Sequence, residues 1–125
     1  MYEFKFIDNG VGEIQIDNFR ESFQSDLSFW TANRYIAQWE DAKRHLANDL
    51  PTMFITSITD PSTASFIRSW VCYPIGDELI FQEHIIFLDD LGEPFDLKSP
   101  HKHVGPYENF SEDGERISEW RTEKD

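Results

Sequence analysis

Residues 66–88 decide the fold, and their sequence is FIRSWVCYPIGDELIFQEHIIFL. Residues 66–73 divide into two alternating sets of side chains, which is typical of a β-strand. The tetrapeptide Pro-Ile-Gly-Asp at residues 74–77 then predicts a turn. Residues 79–88 are apolar at nearly every position, apart from Gln82, Glu83 and His84. Because a strand that is apolar on both faces belongs at the centre of a sheet, this stretch predicts an antiparallel hairpin whose second strand is central.

The clearest helix of the sequence precedes this hairpin, at residues 32–48. Its apolar side chains recur at helical spacing and form one stripe that we expect to be buried: Tyr35, Ile36, Trp39, Ala42 and Leu46. Thr31 can cap the start of the helix, and Pro51 prevents its continuation. Glu40 and Arg44 are spaced for an ion pair on the exposed side.

A second hairpin is predicted at the N-terminus, where apolar and polar side chains alternate up to an Asn-Gly turn. Because the register follows the buried face, we expect Phe6 to pair with Ile14 and Phe4 with Ile16. This register requires a three-residue loop that contains a bulge at Gly10.

The remaining segments complete the predicted architecture. Residues 19–30 predict a short helix or a packed connector, and residues 53–58 predict a strand after the main helix. Residues 117–120 can add a final edge strand, and residues 121–125 are expected to fray. Hairpins dominate this order, so the sequence predicts an α+β fold in which a single antiparallel β-sheet packs against one main helix, within a single domain spanning residues 1–125.

Residues 89–116 differ from the rest of the chain, because Gly, Pro and charged residues replace any strand or helix period. A loop of this length in a small domain is usually functional or mobile. We therefore predict a long acidic surface segment within the domain. Its acidic residues are the candidates for binding a partner: Asp89, Asp90, Glu93, Asp96, Glu108, Glu112, Asp113 and Glu115.

The charge of the chain restricts its partners. It has 24 acidic and 11 basic residues, which give a formal net charge of −13. Nucleic acids and anionic membranes are bound by clustered Lys and Arg, so neither is an expected partner, whereas a basic protein is. Cys72 is the single cysteine, and the N-terminus does not have the pattern of a signal peptide, so the simplest compartment is a reducing cytoplasm.

The candidate metal ligands are His84, His101 and His103, with Asp89 or Asp90 as a possible carboxylate. However, Lys102 separates the last two histidines, and no third ligand has a recognisable spacing. The sequence also lacks the motifs of nucleophilic enzymes, of phosphate-binding loops and of dinucleotide sites. We therefore expect a protein that is not an enzyme and that holds no metal and no cofactor.

Glu83 is unusual, because it interrupts a strongly apolar strand. A carboxylate in such surroundings should either find a partner or lie at an interface. Arg68, at a polar position of the neighbouring predicted strand, is the expected partner, and His84 should face the opposite side of the sheet.

Six short stretches, in their order along the chain, carry a family resemblance: Phe29-Trp30, YIAQW at 35–39, ITSITDP at 55–61, EHIIFLD at 83–89, EDG at 112–114 and ISEW at 117–120. Together they resemble immunity proteins of bacterial contact-dependent growth inhibition systems (CdiI-like proteins). The resemblance implies a small cytoplasmic protein that binds and blocks the C-terminal toxin domain of a cognate delivery protein. Such toxins are often nucleases and therefore often basic. The resemblance implies no catalytic residues and does not identify the contact residues.

Three functions follow from these observations. The leading one is an immunity protein that binds and neutralises a cognate toxin domain, with a basic nuclease as the expected toxin. The second is a small hydrolase or metal-dependent enzyme that uses His84, His101 and His103. The third is an acidic adaptor protein unrelated to toxins.

Overall fold

The computed structural model describes residues 1–124, in which seven strands, one α-helix and two short 3₁₀ turns are present. The strands are β1 (Tyr2–Asp8), β2 (Val11–Ile16), β3 (Phe19–Gln24), β4 (Thr52–Ser57), β5 (Phe66–Ile75), β6 (Glu78–Phe87) and β7 (Trp120–Glu123). The helix α1 spans Ala32–Ala47, and the 3₁₀ turns span Leu88–Asp90 and Pro100–His103. All strand pairs are antiparallel, so the predicted α+β class is confirmed.

The prediction of a single sheet is wrong, because the strands form two sheets. One has the order β1-β2-β3 and the other the order β4-β5-β6-β7. Aromatic side chains join them: the Phe4 and Phe54 rings are stacked with centroids 4.2 Å apart, and Phe19 lies 6.2 Å from Trp70. Each sheet has an apolar face, and these faces bury each other. The alternation of apolar and polar side chains along a strand identifies its apolar face. It does not show whether two hairpins pair edge to edge in one sheet or pack face to face as two sheets.

The N-terminal hairpin differs from prediction in its register. The structure pairs Phe4 with Ile14 and Phe6 with Gly12, around a two-residue Asn9-Gly10 turn. Gly10 has a φ of 71°, which suits a tight turn of this kind. The irregularity lies between Phe6 and Asp8, where the exposed Ile7 is the additional residue. The apolar face was therefore predicted correctly, but the predicted pairing and three-residue loop are wrong, and the bulge lies in β1 instead of at Gly10 in the loop.

Residues 19–24 form strand β3, so the prediction of a short helix or packed connector for residues 19–30 is wrong in its first half. Phe19 and Phe23 are four residues apart, a spacing that places side chains on one face of a strand as well as of a helix. Pairing with β2, in which Glu21 lies opposite Ile14, decides in favour of the strand.

The predicted helix is confirmed, and Thr31 caps it by accepting a hydrogen bond from the backbone N–H of Arg34. Four of the five predicted stripe residues are buried: Tyr35, Trp39, Ala42 and Leu46. Ile36 is exposed, and Gln38 is buried in its place. The surface ion pairs join Lys43 to Glu40 and Arg44 to Asp41, so the expected pair of Glu40 with Arg44 is wrong. Among residues 1–124, no helix combines the length and apolar character needed to cross a membrane.

Polar side chains of α1 close the outer edge of β4. The Gln38 amide donates to the carbonyl of Met53 and accepts from the N–H of Ile55, and the indole N–H of Trp39 donates to the Ile55 carbonyl, all at 2.8 Å. The Tyr35 hydroxyl accepts from the N–H of Ile58 at 3.0 Å. An uncovered edge strand can pair with another chain, and these side chains occupy the groups that would do so.

Strands β5 and β6 are adjacent and β6 is internal, as predicted. However, β7 pairs only with the first part of β6, from Glu78 to Phe81. This last strand spans Trp120–Glu123, so the edge strand predicted at residues 117–120 was placed too early in the chain. The prediction that residues 121–125 fray is wrong for residues 121–123, which form this strand, and Asp125 lies outside the described residues.

Candidate functional site

The acidic segment, residues 89–116, lies across one face of the four-stranded sheet. The side-chain amide of Gln82 donates to the backbone carbonyl of Glu108 at 2.9 Å. The Tyr107 ring contacts that of Tyr73 at 5.2 Å, and the Tyr107 hydroxyl donates to the Glu119 carboxylate at 2.7 Å. These contacts hold the acidic segment on the sheet and present its charged side chains to solvent.

Of the eight predicted partner-binding acids, all except Asp96 are exposed: Asp89, Asp90, Glu93, Glu108, Glu112, Asp113 and Glu115. Within residues 1–124, the carboxylates of Asp89, Asp90, Glu108, Glu112, Asp113 and Glu115 form no ion pair. The negative charge of this surface is therefore largely uncompensated by neighbouring cations.

Asp96 has a different environment. Its carboxylate accepts a hydrogen bond from Lys102 at 3.1 Å and from the backbone N–H groups of Lys98 and Ser99 at 3.0 Å. The Lys102 hydrogen bond is the main reason that the pKa of Asp96 lies below its usual value. Asp96 thus organises the loop around it.

The histidines anchor the acidic segment. The His101 ring packs against that of His45 of α1, with centroids 4.0 Å apart and planes tilted by 34°. His103 stacks on Phe95, and its Nε2 accepts a hydrogen bond from the backbone N–H of Asp96 at 2.9 Å. Both side chains therefore have intramolecular contacts that fasten this part of the chain.

His84 lies elsewhere, on β6. Its Nε2 is 2.9 Å from the side-chain oxygen of Gln82, and burial lowers the pKa of His84. The structure thus does not bring His84, His101 and His103 together as a catalytic group. Residues 1–124 also contain no cluster of three or more His, Cys, Asp or Glu side chains placed to hold a metal ion.

A second surface, which we call the apolar face, consists of Phe66, Arg68, Glu83, Ile85 and Phe87. Phe66 is 41% exposed, Ile85 46% and Phe87 54%. Phe66 pairs with Phe87 across the two strands, and Arg68 pairs with Ile85. The prediction that residues 79–88 are apolar and buried on both faces is therefore wrong for the second half of the strand.

The physical reason lies in the packing of the sheets. The three-stranded sheet covers the part of β5 and β6 that contains Trp70 and Phe81, which are 1% and 0% exposed. The strands then continue beyond this cover. The odd-numbered residues of β6 change from buried at Phe81 to exposed at Glu83, Ile85 and Phe87.

Glu83 lies on the apolar face without its expected partner. Arg68 and Glu83 form no ion pair; the Arg68 guanidinium lies 5.4 Å from the centroid of the Phe66 ring. The pKa of Glu83 is raised, mainly by burial and further by the charge of Glu21, while Arg68 acts in the opposite direction. The charged residue within an apolar run was the one sequence signal that pointed to this surface.

An acidic segment held on a sheet, together with an exposed apolar face, is typical of a protein-binding module. The comparisons identify the family. The family model described as the CdiI N-terminal domain matches residues 25–125. The chain therefore belongs to the CdiI immunity-protein family, as the resemblance implied.

Relatives agree with this assignment. The chain is 27% identical over 111 residues to the immunity protein CdiI of Enterobacter cloacae subsp. cloacae, an alignment that covers 88% of this chain and 76% of the relative. The solved CdiA-CT/CdiI toxin and immunity complex from Enterobacter cloacae contains a chain with a TM-score of 0.82 and 25% identity. That match covers 97% of this chain and 85% of the other.

Proposed function

We propose that this protein binds the C-terminal toxin domain of a cognate CdiA protein in the cytoplasm and neutralises it by covering its surface, one immunity protein for each toxin. Membership of the CdiI family supports this function. The fold also matches a chain of a solved toxin and immunity complex over nearly its whole length.

We further propose that the toxin domain is basic, as a nuclease would be, and that the acidic segment attracts it. The observation that carries this proposal is that, within the described residues, six exposed carboxylates of the acidic segment form no ion pair: Asp89, Asp90, Glu108, Glu112, Asp113 and Glu115. Unpaired surface charge of one sign steers an oppositely charged partner and raises the association rate. Each exposed charge contributes little alone, on the order of 0.5 kcal/mol, so the effect depends on their number.

The test is the binding of the purified chain to the C-terminal domain of a CdiA protein from the same bacterium, with kon and koff measured over a range of salt concentrations. We expect stable binding and a kon that falls as salt rises, because salt screens exposed charges. The steering variant replaces Asp89, Asp90, Glu112 and Asp113 with Lys. We expect its kon to fall about tenfold or more at low salt, with a flatter salt dependence.

The matched control replaces four exposed acids outside the acidic segment with Lys: Glu3, Asp8, Asp77 and Glu123. It changes the net charge by the same amount. If both variants lose kon equally, only the net charge matters, and the acidic segment has no special role. If the unaltered chain does not bind the toxin domain, the proposed function itself is wrong.

A further inference from the structure

The apolar face is a cluster of large side chains rather than scattered exposed residues. Phe66 and Phe87 are direct cross-strand neighbours, and Ile85 follows on the same face of β6. All three are at least 41% exposed, although their strands lie beside a well-packed core. The three-stranded sheet ends before it reaches these three side chains, so nothing in it packs on them. A contiguous exposed apolar cluster bordered by charges is typical of a protein interaction site.

The charges around this cluster specify the kind of partner. Glu83 lies within the cluster, and Glu21 is near enough for its charge to oppose ionisation of Glu83. Asp89 and Asp90 follow Phe87 after one residue and are exposed. Arg68 is the one cation of the apolar face. A partner that brings Lys or Arg to this border would relieve the repulsion between Glu83 and Glu21, whereas an acidic partner would increase it.

A cavity beside Phe66 adjoins the apolar face. It has a volume of about 290 Å³ and is lined by Phe66, Arg68, Asp26 and Ser57, among others. Hydrogen bonds from Ser28 hold the pKa of Asp26 below its usual value, so that its carboxylate remains ionised. The cavity can therefore receive a partner side chain between an aromatic wall and a carboxylate.

We propose that the apolar face is the surface that holds the toxin domain, and that it receives an apolar side chain of that domain bordered by Lys or Arg. The proposal rests on the proposed function and assigns a different role to each surface. The acidic segment increases the rate of encounter, and the apolar face slows dissociation. The long aliphatic part of a Lys or Arg side chain can lie on Ile85 and Phe87 while its charged end reaches Glu83.

The two roles predict different kinetics. Interface residues that are fully desolvated in the complex mainly control koff, whereas border charges mainly control kon. We therefore expect the double variant Ile85→Ser/Phe87→Ser to dissociate about 30-fold faster or more, as for the loss of a central aromatic anchor. Its kon should remain within about threefold of the unaltered chain. Glu83→Lys should weaken binding further than Glu83→Gln, because the reversal also repels the cations of the partner.

The matched control is Ile36→Ser/Ile75→Ser, which removes two large side chains that are 40% and 43% exposed elsewhere on the molecule. Glu123→Lys provides the corresponding control for the change of charge. Both controls should bind the toxin domain with unchanged koff. Thermal unfolding of all variants verifies that each is folded before binding is compared.

Each outcome of the experiment decides a separate question. If the unaltered chain binds the toxin domain and the Ile85→Ser/Phe87→Ser variant dissociates at the same rate, the apolar face is not the docking surface, while the proposed function stands. If instead the unaltered chain self-associates and the variant does not, while both bind the toxin domain equally, the apolar face joins two copies of this chain. In that case the proposal is wrong.

Discussion

Replacing Gln38 with Ala should destabilise the fold strongly, although Gln38 is a polar residue on a helix. Its side chain is buried and forms two hydrogen bonds of 2.8 Å, one to the carbonyl of Met53 and one from the N–H of Ile55. Met53 and Ile55 are both 0% exposed. Truncation at Gln38 therefore leaves a backbone acceptor and a backbone donor buried without these partners.

The size of the effect follows from this geometry. Each buried polar group left without a partner costs about 1–3 kcal/mol, so the two together cost about 4 kcal/mol. That is a large share of the roughly 5–15 kcal/mol by which a domain of this size is stable. The melting temperature should fall by roughly 10–20 °C.

Urea unfolding followed by Trp fluorescence measures the loss, and Gln24→Ala is the control. Gln24 is an exposed residue at the end of β3, so its substitution should change stability by no more than about 0.5 kcal/mol. An unchanged m-value would show that the same transition is compared. If Gln38→Ala costs less than about 1 kcal/mol, the reasoning about the β4 edge is refuted.

Gln38→Glu provides a second, pH-dependent check. The ionised carboxylate that this substitution introduces can accept from Ile55 but cannot donate to Met53, and its charge would be buried. Protonation restores the donor and removes the charge, so folding should raise the pKa of this carboxyl. A group with a raised pKa binds more protons in the folded state, and the deficit of the variant should therefore shrink as the pH falls from about 7.5 to 5.

Two further predictions concern titratable side chains. Burial raises the pKa of the Cys72 thiol, so a thiol reagent should modify the native protein far more slowly than the urea-unfolded chain; equal rates would contradict this. The pKa of His101 is lowered, first by burial and then by the charge of His45, so unfolding takes up a proton and stability should fall as the pH drops below about 6.5. The pKa of His84 is also lowered, so His84 contributes to this pH dependence with the same sign. His101→Phe keeps a ring against His45 and should weaken, but not abolish, the pH dependence of the free energy of unfolding between about pH 5.5 and 7, measured by urea unfolding. An unchanged pH dependence in this variant would contradict the role of His101.

The sequence identified most helices and strands, because apolar side chains recur at a different spacing in each type of element. The helix at residues 32–48 and the hairpin of residues 66–88 were both predicted from side-chain spacing. The exposure of seven acids in the acidic segment followed from their composition. The order of six short stretches also indicated the correct family, which the family model matches over residues 25–125. That resemblance needed only local sequence and no knowledge of the tertiary contacts.

The site was predicted only in part, and the misses have a common cause. Spacing shows which side chains share a face, but another element must pack on that face before it is buried. Ile36 was expected in the core and is exposed, whereas Gln38 is buried because the edge of β4 needs its amide. The same reasoning explains why Ile85 and Phe87 were assigned to a buried strand although no sheet covers them.

By itself, the sequence determined the α+β class, the helix, the central hairpin and the acidic character of residues 89–116, because these depend on neighbours in the chain. Only the tertiary structure decided that the strands form two sheets, that the acidic segment crosses one face of the larger sheet and that Phe66, Ile85 and Phe87 remain exposed on the other. These features depend on where a three-stranded sheet of limited length ends on a four-stranded one. That boundary arises from contacts between residues far apart in the chain, which no local pattern records.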